Sequence, residues 1–186
     1  MRHGGPSTEP RRETVRRPLV VALVGLPGAG KSTVARALEQ QLGLRRVCRD
    51  TIRHALFPRC DYSFLEKRAA FRSVLLAIEI NGLLGASSVI DGMTFSRRGD
   101  YEQVAALADA QGFGLLALWI DCPPSLARER IARGGAHPAA DRGPALVDAV
   151  AARFESLPEG TIRIDATAPP SEVCAQAVAE VAARLG

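Results

Sequence analysis

The sequence predicts an α/β domain in which helices cover both faces of a five-stranded parallel sheet. Short apolar segments rich in β-branched residues alternate with segments of helical period, which is the pattern of strand–helix–strand units. A Gly-rich segment joins the first predicted strand to the first predicted helix. At 186 residues the chain is long enough to form one domain with a substantial core.

The predicted strands are short apolar runs bounded by turn residues. They are 19–24, 44–48, 88–91, 114–121 and 161–165. The second has the weakest pattern because it carries Arg45 and Arg46. The fourth is the longest and is almost uniformly apolar, which favours a position inside the sheet rather than at its edge.

The predicted helices follow from apolar spacing and from residues that start or stop a helix. They are 32–42, 50–57, 63–84, 99–110, 123–133, 144–156 and 171–185. Pro58 ends the second helix, and Ser63 with Glu66 forms a capping box at the start of the third. Residues 134–143 form a polar loop with little hydrophobicity, and we expect a lid at about 128–143.

The net charge of +4 is unevenly distributed along the chain. Residues 1–18 hold five arginines and two glutamates, a net charge of +3, which leaves +1 for residues 19–186. We expect 1–18 to be a disordered basic extension, with contact to nucleic acid or an acidic surface as the alternative, and 19–186 to be the folded domain. A nearly neutral domain argues against long nucleic acid as the main ligand.

No apolar segment reaches the length of a membrane-spanning helix, and the N-terminus lacks a signal-peptide pattern, so we expect no membrane partner. The cysteines form no C-x-x-C pair and no cluster with histidine at metal-ligand spacing. They are Cys48, Cys60, Cys122 and Cys174. We therefore expect free thiols in a reducing compartment and a cytoplasmic location.

Residues 25–32 read GLPGAGKS and fit the pattern G-x-x-x-x-G-K-[ST] between a predicted strand and a predicted helix. Such a loop turns backbone N–H groups toward phosphate oxygens, while its lysine reaches the β- and γ-phosphates and its serine can ligate Mg²⁺. The predicted phosphate-binding residues are Gly25, Pro27, Gly28, Ala29, Gly30, Lys31, Ser32 and Thr33. A chance Gly-rich turn capped by Ser32 is the alternative, which the strand and helix on either side disfavour.

The cation in this loop is unusual for the chain, which has 22 arginines and only two lysines, Lys31 and Lys67. Where arginine is the usual cation, a lysine at this position indicates a need for a compact, flexible ammonium group. The sequence thus predicts a site for a nucleoside triphosphate.

Further polar residues follow the predicted second strand, and the carboxyl ends of parallel strands are where ligands bind in such sheets. Asp50 comes directly after this strand, and Arg53 lies one helical turn later. The two residues could act as general base and acceptor-binding cation. Alternatively, Asp50 caps the helix and pairs with Arg53 at the surface. Spacing alone leaves both interpretations open.

Asp91 ends the third strand, where the acidic partner of Mg²⁺ is found in phosphate-loop enzymes. Asp121 also ends a strand, but the two prolines that follow favour a role in a turn. Thr94, Arg97 and Arg98 follow Asp91 and are either substrate contacts or solvated polar residues.

Three arginines lie close together before the polar loop, at positions 128, 130 and 133. They could neutralise phosphate charge in a transition state, or they are solvated helix charges, and helical geometry lets at most two share a target. Arg133, nearest the loop glycines, is the preferred candidate for a lid arginine, with Arg130 second.

Taken together, four segments resemble the small phosphate-loop kinases of the AAA-type ATP-binding group, which are akin to polynucleotide kinase, zeta-toxin kinases and chloramphenicol phosphotransferase. These segments are Gly25 to Thr33, Cys48 to Arg53, Val89 to Asp91 and Arg130-x-x-Arg133. The resemblance implies a three-layer P-loop NTPase fold with strand order 2-3-1-4-5. It also implies that Asp50 is the general base, Arg53 binds the acceptor, Asp91 lies near the metal or the acceptor, and Arg130 or Arg133 is the lid arginine. Residues 134–142 depart from the pattern because they lack the further acidic residues of many relatives.

These observations predict a kinase that uses ATP and Mg²⁺ to phosphorylate a hydroxyl of a small metabolite, an antibiotic or a nucleoside. One alternative is a kinase for the 5′-hydroxyl of a nucleic acid. Another is a nucleotide-binding regulator without a phosphoryl acceptor, which would leave Asp50 and Arg53 without a role. The sequence identifies neither the acceptor nor the oligomeric state.

Overall fold

The structure is a computed structural model that describes residues 17–134 and 143–185. Its five strands form one parallel sheet with the order β2-β3-β1-β4-β5. The strands are β1 (Leu19–Val24), β2 (Arg45–Cys48), β3 (Ser88–Asp91), β4 (Gly114–Asp121) and β5 (Ile162–Asp165). This order confirms the prediction. The buried strand β1 lies at the centre, and β4 lies beside it inside the sheet, as its apolar sequence predicts.

Seven helices are present in the described ranges. They are α1 (Lys31–Leu42), α2 (Arg49–Leu56), α3 (Phe64–Leu83), α4 (Arg98–Ala110), α5 (Pro124–Arg133), α6 (Pro144–Ala151) and α7 (Pro170–Leu185). Among these residues no helix is both long enough and apolar enough to cross a membrane. Of the predicted basic extension, only Arg17 and Pro18 lie within the described residues, and 135–142 of the predicted lid lie outside them.

Helix α6 ends at Ala151, five residues before the predicted end at Ser156. The chain turns there, with the N–H of Phe154 donating to the carbonyl of Ala151, and the N–H of Glu155 then donates to Ser96 O at 3.0 Å. The prediction of a longer helix is therefore wrong because this backbone bond draws the chain toward the segment after β3.

The core has two parts, one on each face of the sheet, so the alternating side chains of β1 serve both. On one face Val21 and Leu23 pack in a cluster with buried residues of α1 and α7. On the other face Val20, Ala22 and Val24 pack with buried residues of α3 and α4. Helices on both faces of a parallel sheet make up the predicted three-layer architecture.

The capping box at α3 forms only in part. Ser63 Oγ accepts from the N–H of Glu66 at 3.3 Å, as predicted. The Glu66 carboxylate, however, accepts from the N–H groups of Asp61 and Tyr62 and not from the N–H of Ser63, as a complete capping box requires. Tyr62 has a positive φ of 58°, an uncommon conformation for a residue with a side chain. This turn fixes the position of the Tyr62 ring beside α2.

Candidate active site

The loop after β1 lies so close to its neighbours that two of its positions have room only for glycine. Gly25 has a φ of +144°, and a Cβ atom there would lie 2.6 Å from the carbonyl oxygen of Ile120. Gly28 has a φ of +83°, and a Cβ atom there would lie 2.4 Å from the carbonyl oxygen of Ala127. Because both neighbours are backbone atoms, neither can rotate away. The loop is held against the end of β4 and against α5.

Lys31 is the first residue of α1 and is buried, with 8% of its surface exposed. Its Nζ donates to the carbonyl oxygens of Gly25 at 2.8 Å and Leu26 at 2.7 Å. The N-cap residue of α1 is Gly30, which supplies no side-chain cap. The Lys31 ammonium group thus lies at the positive, N-terminal end of α1, and this arrangement favours the binding of anions.

Ser32 and Asp91, the two residues predicted as Mg²⁺ ligands, lie in hydrogen-bond contact at the carboxyl end of β3. Ser32 Oγ donates to Asp91 Oδ1 at 2.8 Å, and the N–H of Gly92 donates to the same oxygen at 2.7 Å. Arg46 Nη1 donates to Asp91 Oδ2 at 3.0 Å, and Arg46 Nε donates to Glu39 Oε2 at 3.2 Å. Burial lowers the pKa of Arg46, but its hydrogen bonds to Asp91 and Glu39 outweigh this effect and raise the pKa.

The donor set fits Mg²⁺ because it consists of hydroxyl and carboxylate oxygens. Across the described residues no cluster of three or more His, Cys, Asp or Glu side chains is arranged to hold a metal. Mg²⁺ usually takes one or two protein ligands and completes its shell with water and substrate phosphates. A pair such as Ser32 and Asp91, beside a loop that can hold phosphates, meets that requirement.

Asp50 and Arg53 form a buried ion pair at the start of α2. Arg53 Nη2 donates to Asp50 Oδ1 at 3.0 Å, and the two residues are only 3% and 6% exposed. The alternative of a helix cap with a surface pair does not describe this geometry, since the N-cap residue of α2 is Cys48 and the pair is buried. A Cβ atom at Gly92 would lie 3.1 Å from Asp50 Oδ2, so the turn after Asp91 passes directly against the Asp50 carboxylate.

Tyr62 completes this arrangement and was not predicted from the sequence. The guanidinium carbon of Arg53 lies 4.4 Å from the centroid of the Tyr62 ring, a cation–π contact. Arg53 is thus held between an aromatic face and a carboxylate. The Ser63–Glu66 pattern predicted the helix start but not the turn that brings Tyr62 over Arg53.

Of the predicted lid arginines, Arg130 lies against the phosphate loop. Its Nη2 donates to Ala166 O at 2.8 Å, and its Nη1 lies 3.4 Å from Ala29 O and 3.8 Å from Cys122 Sγ. Arg133 is 80% exposed on its side chain, pairs with Glu129 at 2.7 Å and does not line the cavity. The preference for Arg133, based on its nearness to the loop glycines, is therefore not supported by its position. Arg128 pairs with Asp148.

The residues predicted after β3 are divided between the cavity and the surface. Thr94 lines the cavity, and its carbonyl oxygen accepts from the N–H of Gly25 at 3.1 Å. Arg98 pairs with Glu102 at 3.0 Å, and neither Arg97 nor Arg98 lines the cavity. Asp121 of β4 pairs with Arg163 of β5 at 2.7 Å, and in the sheet these two strands lie on the side of β1 opposite to β3.

The phosphate loop, the Ser32–Asp91 pair, the Asp50–Arg53 pair and Arg130 border one cavity of about 880 Å³ at the carboxyl edge of the sheet. That volume suits a small molecule bound together with a nucleotide. Several cavity residues were missed as site residues by sequence reasoning. They are Arg36, Arg46, Arg49, Lys67, Met93 and Arg153. The position directly after β2 could have identified Arg49, whereas Arg46 lies within β2, and Arg36 and Arg153 carry no signal in the sequence.

Comparison with known families and structures gives a consistent result. A family model described as an AAA domain matches residues 20–157. No curated protein matches this sequence.

Among solved structures, a protein from Chloroflexus aurantiacus has a TM-score of 0.73 at 23% identity and covers 91% of this chain and 100% of its own. A gluconokinase from Sinorhizobium meliloti has a TM-score of 0.65 at 19% identity, with 90% of this chain and 94% of its own covered. The APS kinase of Mycobacterium tuberculosis in complex with AMPPNP and APS has a TM-score of 0.66 at 19% identity, with coverages of 91% and 98%. At these identities the likeness shows the fold.

Proposed function

This chain belongs to the AAA-domain family, and from that premise we propose that it is a kinase that uses ATP and Mg²⁺ to phosphorylate a hydroxyl of a small-molecule acceptor. The observation that carries the proposal is the buried Asp50 carboxylate, which is fixed by Arg53 and lies against the turn that follows Asp91. A carboxylate in that place is within reach of the hydroxyl that attacks a phosphate bound at Ser32 and Asp91. The fold shared with a gluconokinase and with an APS kinase bound to AMPPNP also supports it.

We propose that residues 25–33 hold the triphosphate of ATP. Lys31 would exchange its two carbonyl contacts for phosphate oxygens, since an ammonium group prefers a charged acceptor to a neutral one. Arg130, which touches the carbonyl of Ala29, is the cation that could stabilise charge on the phosphates during transfer. We call this part of the cavity, residues 25–33 with Arg130, the nucleotide end.

Ser32 and Asp91 would hold Mg²⁺, which neutralises phosphate charge when bound. Arg46 keeps the Asp91 carboxylate oriented by occupying its second oxygen at 3.0 Å. Beyond this pair lie Asp50, Arg53, Thr94 and the start of α3, which we call the acceptor end. Within the proposed kinase domain, 19–186, this end selects the substrate.

In the proposed reaction Asp50 accepts the proton of the acceptor hydroxyl. The freed oxygen forms a bond to the γ-phosphorus while the bond from that phosphorus to ADP breaks. The proton is then on Asp50, the phosphoryl group is on the acceptor, and ADP is the leaving group. Arg53 and Tyr62 do not take part in this transfer; they hold the carboxylate in one orientation. Arg97 and Arg98 lie outside the cavity lining and receive no role in the proposal.

The test is ADP release by the purified protein with Mg²⁺ and ATP, in the presence of pooled sugars, sugar acids, amino alcohols, nucleosides, antibiotics and a 5′-hydroxyl oligonucleotide. We expect one pool to accelerate ADP release and Asp50→Asn to lower kcat by about 10³-fold while the affinity for ATP changes by less than about threefold. The control is Asp109→Asn, at an exposed position of α4. An unchanged kcat in Asp50→Asn would remove Asp50 as the base, and acceleration by the oligonucleotide alone would make the protein a polynucleotide kinase.

A further inference from the structure

We propose that the acceptor carries an oxyanion, a phosphate, sulfate or carboxylate group, in addition to its hydroxyl, and that Arg49 and Lys67 bind this group. The identity of the molecule as an acceptor rests on the proposed kinase function. The anion site itself rests on the pairing of charges at the acceptor end of the cavity and can be tested without turnover.

The cavity lining has a large excess of positive charge. Its two carboxylates are Asp50 and Asp91, whereas its cationic residues number eight. These are Lys31, Arg36, Arg46, Arg49, Arg53, Lys67, Arg130 and Arg153. The triphosphate of ATP accounts for the cations at the nucleotide end, but the cations on the β2–β3 side need a second explanation.

Two of the cations on that side already have carboxylate partners. Arg46 donates to both Asp91 and Glu39, at 3.0 and 3.2 Å. Arg53 donates to Asp50 at 3.0 Å and stacks on Tyr62. Both residues serve to hold the carboxylates of the site, which leaves them poorly placed to bind a second anion.

Arg49 shares its carboxylate partner, Asp50, with Arg53. Its Nη2 lies 3.6 Å from Asp50 Oδ1, an oxygen that already accepts from Arg53 at 3.0 Å. Its Nε is buried and has no hydrogen-bond partner among residues 17–134 and 143–185. A buried N–H donor without an acceptor costs free energy, and an oxyanion would remove that cost by accepting from the planar guanidinium group.

Lys67 supplies the second surplus charge. It lies in the first turn of α3, lines the same cavity and makes no ion pair with any residue in the described ranges. Both lysines of a chain with 22 arginines therefore line this one cavity, Lys31 at the nucleotide end and Lys67 at the acceptor end. A flexible ammonium can follow a ligand as it moves, which a rigid guanidinium does less well.

The position of these two residues assigns them to the acceptor rather than to ATP. Ser32 and Asp91 mark the terminal phosphates, and Asp50 lies next to them across the turn at Gly92. Arg49 directly precedes Asp50 at the start of α2, and Lys67 lies on α3, the helix that packs against α2. An oxyanion bound there would place the rest of its molecule, including a hydroxyl, beside Asp50.

The first experiment measures anion binding without chemistry. The full chain is saturated with Mg²⁺ and AMP-PNP to fill the nucleotide end, and its melting temperature is followed as phosphate, sulfate or acetate replaces chloride at constant ionic strength. We expect at least one of the three anions to raise the melting temperature, and the rise to shrink in Lys67→Gln and to vanish in the Arg49→Gln/Lys67→Gln double variant. The matched control is Arg68→Gln, which removes the neighbouring exposed cation of α3 that does not line the cavity. An equal rise in the double variant would overturn the proposal.

The second experiment uses acceptors in matched neutral and anionic forms, such as a sugar, its sugar acid, its phosphate ester and its sulfate ester. For the anionic form we expect Lys67→Gln to raise KM about tenfold, with kcat and the KM for ATP changed less than about threefold, because one charge-assisted contact is lost. Arg68→Gln should leave all three constants unchanged. The preferred member of each set identifies which oxyanion the site takes.

The results separate this proposal from the kinase function. If only neutral acceptors accelerate ADP release, the kinase stands and the anionic acceptor is wrong. If anions raise the melting temperature through Arg49 and Lys67 but no acceptor accelerates ADP release, the anion site stands and the proposed kinase function fails.

Discussion

At the nucleotide end of the cavity the site is built from backbone, whereas at the acceptor end it is built from side chains. Gly25 and Gly28 lie against carbonyl groups of other segments, and even the ammonium of Lys31 contacts two carbonyl oxygens. At the acceptor end Asp50 is held by Arg53, and Arg53 is held by Tyr62. Close backbone contacts restrict which residues can occupy these positions, whereas a set of side-chain contacts can be replaced by another set made by other residues. The same fold can therefore keep one nucleotide site and vary its acceptor.

The ion pair at the acceptor end should be the most sensitive point for stability. We expect Arg53→Leu to lower the free energy of unfolding by about 3–5 kcal/mol, because it leaves the buried Asp50 carboxylate without its nearest cation. Urea unfolding measures this. The control is Arg98→Leu, which breaks the exposed pair with Glu102 and should cost less than about 1 kcal/mol. Equal losses in both variants would mean that the Asp50 pair contributes no more than a surface pair.

The backbone of the nucleotide end can be tested with two alanines. Gly28→Ala should lower the free energy of unfolding by about 2–3 kcal/mol, since its Cβ meets a carbonyl oxygen and its φ is positive. At Gly30 the φ is +102°, but nothing lies within 4 Å of an added Cβ atom. Gly30→Ala should therefore lower the free energy of unfolding by about 1 kcal/mol through backbone strain alone. If the two variants melt at the same temperature, the close approach to Ala127 has no energetic effect.

Arg130 and Arg133 of α5 provide a test of catalysis at the nucleotide end. We expect Arg130→Met to lower kcat by about 10–100-fold, because in the proposed site the guanidinium that touches Ala29 would lie beside the phosphates of ATP. Arg133→Met, which removes an exposed cation paired with Glu129, should lower kcat by less than about threefold. Steady-state ADP release with the best acceptor distinguishes the two, and the reverse order would restore Arg133 as the lid arginine.

The smallest expected effect concerns Tyr62. Tyr62→Phe keeps the aromatic face over Arg53, whereas Tyr62→Leu loses a cation–π contact of about 1 kcal/mol. We expect kcat to fall about fivefold in Tyr62→Leu and to stay near wild type in Tyr62→Phe, with the KM for ATP unchanged in both. A larger loss in the phenylalanine variant would assign the role to the hydroxyl group instead.

The parts of the molecule that the sequence predicts are those that local pattern or a rule of topology determines. The phosphate loop is a contiguous motif, and the meeting of Ser32 with Asp91 follows from the common edge at which parallel strands end. The strands and most helix bounds follow from apolar spacing and breakers. The strand order came from a family resemblance and is confirmed.

The features that the sequence did not predict depend on the orientation of a side chain or on contacts between residues that are far apart in the sequence. Arg130 and Arg133 are three residues apart on one helix, and distance along the chain cannot tell which faces Ala29. Tyr62 reaches Arg53 through a backbone turn with a positive φ that no motif encodes. The early end of α6 depends on one bond from Glu155 to Ser96, 59 residues away.

The strand order also determines when the phosphate loop can form during synthesis. Strand β1 is made first, but its neighbours in the sheet are β3 and β4, so it has no partner until residues 88–91 have been added and only one until residues 114–121 follow. The loop itself contacts Thr94, Ile120 and Ala127, which are made later still than α1 and β2. A nascent chain that ends before about residue 127 therefore carries the complete motif without the surfaces that shape it. Nucleotide binding should begin only when most of the chain has left the ribosome.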